Sequence, residues 1–334
     1  MAEITPSEWN DYLARYPNTH ILQTSAWGQF KADFGWQVVY VASTECGAQL
    51  LIKQILPGFR FAYIPKGPVG SDWHQLWPEI DEICKRRKCI FVKIEPDIWM
   101  SDDKKFEIPE GQVPNHFTPS NHSIQPLRTL IIDVTGEETQ ILGRMKQKTR
   151  YNINLALKKN VVVKPYTDLG SFYHLMEITG QRDQFGIHNL AYYQRAFDLF
   201  HTRDQCQLLL AEYDGTPLAA LIVFRNGNRA WYFYGASSNM YKDKMPNYLL
   251  QWEAIRWAKS QGCTEYDLWG VPDVDLATLE NNFMSQSAGL WGVYRFKRGF
   301  GGELKRSVGP WDRIYNPFLY RLYTLWLNYR SPEG

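Results

Sequence analysis

The segment Trp231-Tyr-Phe-Tyr-Gly-Ala-Ser-Ser238 decides the fold that we predict for this chain. Its aromatic residues favour a β-strand, and Gly235 is predicted to end that strand. Apolar residues at helical spacing then predict a helix over residues 246–262, and a second strand follows over residues 265–270. A strand, a helix and a strand in this order form a crossover unit with parallel strands. Small ligands often bind at the carboxyl ends of such strands, so this end is a candidate site.

The same order of elements occurs earlier in the chain. Residues 37–94 read as three strands, a helix and a strand, and residues 207–270 read in the same way. Two turn glycines of the first copy, Gly47 and Gly67, are each the same number of positions from a glycine of the second copy. We therefore predict an internal repeat of one α/β unit.

Antiparallel strands followed by a crossover are the element order of acetyltransferase-like (GNAT) folds. The predicted fold class is accordingly α/β (α+β), with two tandem GNAT-like domains. We expect the first domain over residues 1–130 plus 306–334 and the second over residues 131–305. The aromatic segment 314–329 reads as a helix that packs on the first domain, and contact with a membrane surface is the alternative. Residues 97–126 read as a long loop or an interface segment.

GNAT enzymes bind acetyl-CoA through a glycine-rich loop, whose backbone N–H groups hold the pyrophosphate. The corresponding segments here are residues 239–246 and residues 69–74, and neither has that loop. The sequence therefore favours acyl transfer but argues against CoA as the donor.

Composition narrows the functional class. The formal net charge of +2 gives no global field for nucleic acid, so a basic binding surface must be local. The five cysteines are scattered without zinc-site spacing, which predicts buried thiols in a reducing compartment and no metal. No apolar run approaches the ~20 residues of a membrane span, and the first residues have no signal-peptide pattern. We expect a cytoplasmic protein that needs no cofactor.

One local basic surface is predicted over residues 137–159, which read as a helix or a pair of helices. Its cations include Arg144, Lys146, Lys148 and Arg150, and no acid lies among them. Such a run is often only a solvated helix face, but without interleaved acids it favours contact with phosphates.

Six stretches spread along nearly the whole chain resemble the Fem peptidyltransferases, which build peptidoglycan interpeptide bridges. They are Gln23-Thr-Ser-Ala-Trp-Gly-Gln-Phe-Lys31, Tyr63-Ile-Pro-Lys-Gly-Pro-Val69, Lys148-Thr-Arg-Tyr-Asn-Ile153, Tyr234-Gly-Ala-Ser-Ser238, Tyr266-Asp-Leu-Trp-Gly270 and Tyr294-Arg-Phe-Lys-Arg-Gly-Phe300. The resemblance implies two GNAT-like domains and transfer of an amino acid from aminoacyl-tRNA to the stem-peptide amine of a peptidoglycan precursor. No heptad stretch is present, so the chain resembles the compact type without a helical-hairpin insert.

The resemblance also implies roles for individual residues. Lys297, with the backbone of Phe296 beside it, would stabilise the oxyanion that develops on the transferred acyl group. Lys31 would bind the diphosphate of the precursor. Arg182 and Tyr234 would bind substrate.

Further candidates follow from their positions. Ser237 lies at the same strand end as Tyr234, and Glu95 is a candidate acceptor for the amine proton, with a capped strand end as the alternative. The basic residues at 144–150 would contact tRNA. Glycines and aromatic residues flank Lys297, which suits a side chain presented to a ligand rather than packed in a core.

The implied partners are an aminoacyl-tRNA donor and a nucleotide-linked or lipid-linked peptidoglycan precursor as acceptor. The protein would act in the cytoplasm, with peripheral contact at the inner membrane face as the alternative. Two other classes stay open at this point. One is a CoA-dependent N-acetyltransferase, and the other is a non-catalytic protein of the same fold that binds tRNA or an envelope precursor.

Overall fold

The structure, a computed structural model, describes residues 2–100 and 116–330. The chain forms two compact units, which we call unit 1 (residues 1–125 with 306–334) and unit 2 (residues 126–305). Much of the loop predicted over residues 97–126 falls on residues 101–115, outside the described residues.

The chain enters unit 1 with strands and helices in this order: β1 (Ala2–Ile4), α1 (Pro6–Leu13), α2 (Ser25–Ala32), β2 (Gln37–Ala42), β3 (Cys46–Leu56), β4 (Phe59–Pro65), β5 (Val69–Gly70), α3 (Trp77–Arg86), β6 (Cys89–Glu95) and β7 (Thr118–Pro119). Unit 2 then contains β8 (Arg128–Asp133), α4 (Glu138–Arg144), α5 (Gln147–Lys158), β9 (Val162–Tyr166), α6 (Leu169–Asp183), α7 (Leu190–His201), β10 (Cys206–Tyr213), β11 (Thr216–Asn226), β12 (Arg229–Ser237), α8 (Pro246–Ser260), β13 (Glu265–Val271), α9 (Leu276–Asn282), α10 (Leu290–Lys297) and β14 (Glu303–Arg306). The chain returns to unit 1 with β15 (Trp311–Ile314) and α11 (Pro317–Arg330).

The two sheets share one topology. Their strand orders are β1-β2-β3-β4-β6-β15-β7 and β14-β8-β13-β12-β11-β10-β9. In each sheet, antiparallel strands lead to a parallel pair that a helix connects, β4–β6 through α3 and β12–β13 through α8. Two helices, α1 and α2, separate β1 from β2 in unit 1. Two helices, α6 and α7, likewise separate β9 from β10 in unit 2. The predicted α/β (α+β) class with two tandem GNAT-like folds is confirmed.

The sequence predicted that strand β12 ends at Gly235. In the structure the strand continues beyond this residue. Gly235 pairs with Leu221 of β11, and the ladder continues to Ser237. A Cβ atom at Gly235 would lie 2.0 Å from the hydroxyl oxygen of Tyr232. Close packing, rather than a turn, therefore explains the glycine.

The C-terminal helix is shorter than predicted, because Ile314 belongs to strand β15. This strand pairs antiparallel with β6 and extends the sheet of unit 1. Helix α11 begins only at Pro317, a residue suited to the first helical position. The predicted basic segment forms two helices, α4 and α5. Helices α6 and α7 were not predicted.

One core cluster of unit 2 lies between its sheet and α8. Leu249, Trp252 and Ile255 of α8 are buried in one cluster with Leu221 and Val223 of β11. Full burial of such a side chain contributes about 1.5–3 kcal/mol. Among the described helices, none combines the length and the apolar character that crossing a bilayer requires.

Candidate functional site

The parallel strands β12 and β13 separate toward their carboxyl ends. Their ladder starts at Arg229 and reaches only Trp231 and Asp267, although β12 continues to Ser237. Beyond this point β12 has a bulge at Phe233, and β13 loses its regular register with β8 after Asp267. The two strand ends are therefore not paired with each other in the region where the crossover predicts a site.

A tight turn interrupts β13 where the strands separate. Trp269 has a φ of +64°, a value that bulky residues rarely adopt. The buried Asp267 carboxylate stabilises this turn, because it accepts a hydrogen bond from the Trp269 N–H at 2.7 Å. The hydroxyl of Thr129 also donates to Asp267. The turn presents the carbonyl oxygens of Trp269 and Gly270 to one side chain.

That side chain is Lys297. Its Nζ donates to the carbonyl oxygen of Gly270 at 2.8 Å and to that of Trp269 at 3.2 Å. It also lies 5.7 Å from the centroid of the Tyr232 ring. Burial lowers the pKa of Lys297 to about 7, and the negative charge of Asp267 acts in the opposite direction. At neutral pH this lysine is poised between its two protonation states.

The expectation that Lys297 is presented to a ligand rather than packed was wrong in one respect. The side chain is only 4% exposed. The segment is helical, and Lys297 lies one turn after the buried Tyr294 on the core-facing side of α10. The cation is therefore held in a low-dielectric environment, where it interacts with charge more strongly than at a surface.

Glu280 of α9 fixes the position of α10. It accepts a hydrogen bond from the Tyr294 hydroxyl at 2.6 Å and forms an ion pair with Arg298. The Arg298 guanidinium holds the pKa of Glu280 at about 2. Lys146 lies 3.4 Å from the same carboxylate, which links the start of α5 to this cluster.

A cavity of about 290 Å³ lies where β12 ends and α8 begins. Its lining includes Arg182, Ser237, Lys242 and Tyr248. Two cations and the start of a helix give this cavity the character of an anion site. The Tyr248 ring is 5.1 Å from that of Phe296, the neighbour of Lys297.

The structure brings two predicted site residues together at this cavity. Nη1 of Arg182 donates to the backbone oxygen of Ser237 at 3.0 Å. The adjacent Asp183 pairs with Arg182 at 2.7 Å and raises its pKa. Arg182 is thus held at the cavity wall with its charge partly balanced.

Tyr234 lies on the other face of the sheet from Tyr232 and Lys297. The β12 bulge sets Tyr232 opposite Val223 and Tyr234 opposite Ile222, and neighbouring residues of a strand face opposite ways. The Tyr234 ring is 5.2 Å from Tyr193 of α7, and burial raises the pKa of Tyr234.

The tRNA candidates differ in their surroundings. Arg144 donates to the carbonyl oxygens of Asp133 and Thr135 at 2.8 and 3.0 Å. Arg150 donates to the backbone carbonyl of Met145, the residue that follows α4, and Lys148 is exposed. The segment has no acid among its cations, yet other elements supply acids to them: Asp133 of β8 pairs with Arg144 and Glu280 of α9 pairs with Lys146.

Two candidates lie in unit 1. Lys31 of α2 is half-buried, and its Nζ lies 4.9 Å from the Trp27 ring. Burial lowers the pKa of Lys31 to about 8, and the cation of Lys53 adds to this effect. Lys31 stays mostly protonated at neutral pH, as a phosphate contact requires.

Glu95 is buried at the end of β6. Its carboxylate accepts hydrogen bonds from the Tyr63 hydroxyl at 2.5 Å and from the backbone N–H groups of Ile124 and Gln125 at 2.5 and 3.0 Å. Burial raises its pKa. This set of donors favours the capped strand end, which was the alternative to proton acceptance.

Sequence reasoning gave no role to Asp267, Tyr232 or Lys242. Asp267 lies in one of the quoted family stretches, which could have drawn attention to it. The positions of Tyr232 and Lys242 depend on a bulge and a turn that carry no clear sequence signal.

A model described as the FemAB family matches residues 4–216 and 205–327. A lipid II:glycine glycyltransferase of Staphylococcus haemolyticus (strain JCSC1435) is 27% identical over 409 aligned positions, which cover 96% of this chain and 94% of that protein. Because the alignment is longer than this chain, the relative has additional residues within the matched span.

Solved structures agree with the fold. The crystal structure of FemX is similar with a TM-score of 0.82 and 24% identity, over 96% of this chain and 99% of that chain. A tandem GNAT protein from the clavulanic acid biosynthesis pathway is similar with a TM-score of 0.52 and 11% identity, over 94% and 95% of the two chains.

Proposed function

The chain belongs to the FemAB family, and from this membership we propose that it is an aminoacyltransferase of peptidoglycan cross-bridge synthesis. The Fem resemblance inferred from the sequence is thereby confirmed. We propose further that the donor is aminoacyl-tRNA and that the acceptor is the stem-peptide amine of a lipid-linked precursor. The name of the glycyltransferase relative supports the lipid-linked acceptor.

The observation that carries this proposal is the buried Lys297 beside the diverging strands. In the reaction, the amine nitrogen bonds to the ester carbonyl carbon and the bond from that carbon to the ribose oxygen breaks. The amine loses a proton and the ribose hydroxyl gains one, so no cofactor is needed. Between these steps the carbonyl oxygen becomes an oxyanion, which requires stabilisation.

Lys297 is suited to that task. An ammonium group has three N–H donors, and two of them bond to the carbonyls of Trp269 and Gly270. The third can donate to the acyl oxygen of a bound donor. Because the group is held in place before the reaction, little reorganisation is needed as the charge develops.

The cavity at the start of α8 supports an RNA donor. Arg182, Lys242 and the start of α8 would form an anion site there, and Tyr248 of its wall contacts Phe296 of α10. In this role the cavity holds a phosphate near the 3′ end of the tRNA. The exposed Lys148 of α5 would contact the RNA backbone further along.

The start of α5 lies against the turn that directly follows α10, since the Lys146 N–H donates to the Gly299 carbonyl at 2.9 Å. A strand of RNA that follows α5 would therefore run toward Lys297. In unit 1, Lys31 is proposed to bind the diphosphate of the acceptor, and Tyr234 in unit 2 to contact substrate.

The test is a transfer assay with a panel of charged tRNAs and both the nucleotide-linked and the lipid-linked precursor, read by mass. We expect addition of one amino acid to the lipid-linked precursor, which would also identify that amino acid. Acetyl transfer from acetyl-CoA would instead support the N-acetyltransferase alternative. Binding of both substrates without any transfer would support the non-catalytic alternative.

A further inference from the structure

Helix α11 has two apolar sides. Its inner side packs on the sheet of unit 1, where the Tyr323 ring lies 5.4 Å from Phe91 and the Tyr320 ring lies 5.2 Å from Phe91. The Tyr320 hydroxyl also donates to Asp312 of β15 at 2.7 Å. These contacts fix the rotation of the helix about its axis.

The outer side is a row of large apolar side chains, which we call the outer row. It consists of Phe318, Leu322, Leu325 and Tyr329. Phe318 and Tyr329 are 71% and 87% exposed. Each helical residue advances by about 100°, so these four residues fall within an arc of about 60°. Scattered exposed apolar residues are ordinary, but an aligned row of four marks a contact surface.

The flanks of the outer row indicate the kind of surface that it contacts. Arg321 is exposed on one flank and Trp326 on the other. By sequence the helix has two arginines and no acidic residue. Aromatic and aliphatic residues bordered by Trp and Arg are typical of helices that lie in the headgroup region of a bilayer.

The face of the unit 1 sheet on which α11 packs also carries Lys31, the lysine proposed to bind diphosphate. Gln49 of β3 lies against Gly28 of α2, the helix of Lys31. Lys53 of β3 lies opposite Phe61 of β4 in the strand ladder. The Phe61 ring lies 6.4 Å from the Tyr323 ring of α11. Gln49 and Lys53 are four positions apart in one strand, so they point to the same face. Helices α2 and α11 therefore cover one face of the sheet.

We propose that the outer row of α11 docks on an anionic lipid bilayer. The helix lies parallel to the membrane, with Arg321 at the level of the lipid phosphates. The inference rests on the proposed function in one respect, because a lipid-linked acceptor offers its diphosphate at that same surface. Docking would bring the face that carries Lys31 to the acceptor.

The test is flotation of the full-length protein with vesicles of phosphatidylcholine mixed with phosphatidylglycerol, and with vesicles of phosphatidylcholine alone. We expect binding to the mixed vesicles and weaker binding to the neutral ones. The double variant Phe318→Gln, Leu325→Gln should bind about tenfold or more weakly, because two exposed apolar side chains are lost from the interface. The double variant Leu276→Gln, Met284→Gln removes similarly exposed side chains of unit 2 and should bind normally.

Equal binding by the α11 variant and the wild type would overturn the inference. So would a wild-type dimer that this variant converts to monomers without any vesicle binding, because a second copy would then occupy the outer row. Flotation requires no transfer activity, so its outcome is independent of the proposed function. Normal vesicle binding with no transfer to any acceptor would overturn the proposed function, but it would still support the docking surface.

Discussion

At the residue scale, the lysine of α10 combines deep burial with hydrogen bonds to two backbone carbonyls. Replacing Lys297 by Met removes the charge and keeps much of the side-chain volume. We expect kcat to fall on the order of a hundredfold, because a stabiliser of the transition state is lost, while the KM for the precursor changes far less.

Steady-state kinetics with both substrates varied would measure this effect. Lys297→Arg should restore activity only in part, since a planar guanidinium does not replace a compact ammonium in a tight site. The control is Lys305→Met, which removes a half-buried lysine that pairs with Glu303 in the same unit. A raised KM for the precursor with unchanged kcat would make Lys297 a binding residue.

The pH dependence of kcat should report the pKa of Lys297. Its pKa is lowered to about 7, so the ammonium is lost as the pH rises through that value. If the protonated form stabilises the oxyanion, kcat falls on the alkaline side. The negative charge of Asp267 favours the ammonium, and Asp267→Asn should therefore move this alkaline limb to lower pH.

Asn at position 267 keeps an oxygen that can accept the Trp269 N–H, so the turn should be retained. Asp273→Asn removes the same charge from an exposed ion pair with Arg128 and should leave the limb in place. An alkaline limb that does not move in Asp267→Asn would show that another group controls it.

At the scale of elements, α5 is the predicted RNA-binding helix. Lys148 and Lys158 are exposed on one side of it, near the exposed Tyr151. Reversing both lysines to Glu should raise the KM for aminoacyl-tRNA several-fold and leave the KM for the precursor unchanged. Fewer counterions would be released, so the salt dependence of tRNA binding should become shallower by about one to two in log–log slope.

Filter-binding titrations of tRNA at several salt concentrations would measure this slope. The matched control is Lys85→Glu with Lys88→Glu, two exposed lysines of unit 1. Normal use of the donor by the α5 variant would mean that α5 is a solvated face.

At the scale of the whole molecule, unit 1 is completed by the end of the chain. Strand β15 lies between β6 and β7, and Lys93 pairs with Asp312 at 2.8 Å with both side chains nearly inaccessible. Asp312→Ala leaves a buried cation without its partner, which should cost about 3–5 kcal/mol of the free energy of unfolding. Hydrogen exchange should show lost protection in β6 and unchanged protection in β12.

The comparison variant for this effect is Glu303→Ala, which breaks an exposed ion pair in unit 2. We expect it to change the free energy of unfolding by less than about 1 kcal/mol. Similar losses in the two variants would argue that burial of the Lys93 pair is unimportant for unit 1.

The sequence by itself determined the fold class and the family. Alternating aromatic and apolar residues, turn glycines and a repeated order of elements are local signals, and each can be read without knowing what packs against it. Lys297 became a candidate for the same reason, because it lies in a short stretch of sequence that resembles the family. The predicted end of β12 and the predicted start of α11 were wrong. Pairing with β11 extends β12, and pairing with β6 places Ile314 in a strand ahead of α11.

Only the tertiary structure decided the environment of the site. Nothing in the neighbourhood of Lys297 in sequence reveals its burial, because the carbonyls that hold it belong to β13 and the carboxylate that supports its charge is Asp267. The bulge at Phe233 sends Tyr232 and Tyr234 to opposite faces, and a single inserted residue in a ladder has no periodic signal. Likewise, the acids that balance Arg144 and Lys146 belong to other elements, β8 and α9. Charge and burial are properties of the folded surroundings, so they became visible only when the strands and helices were assembled.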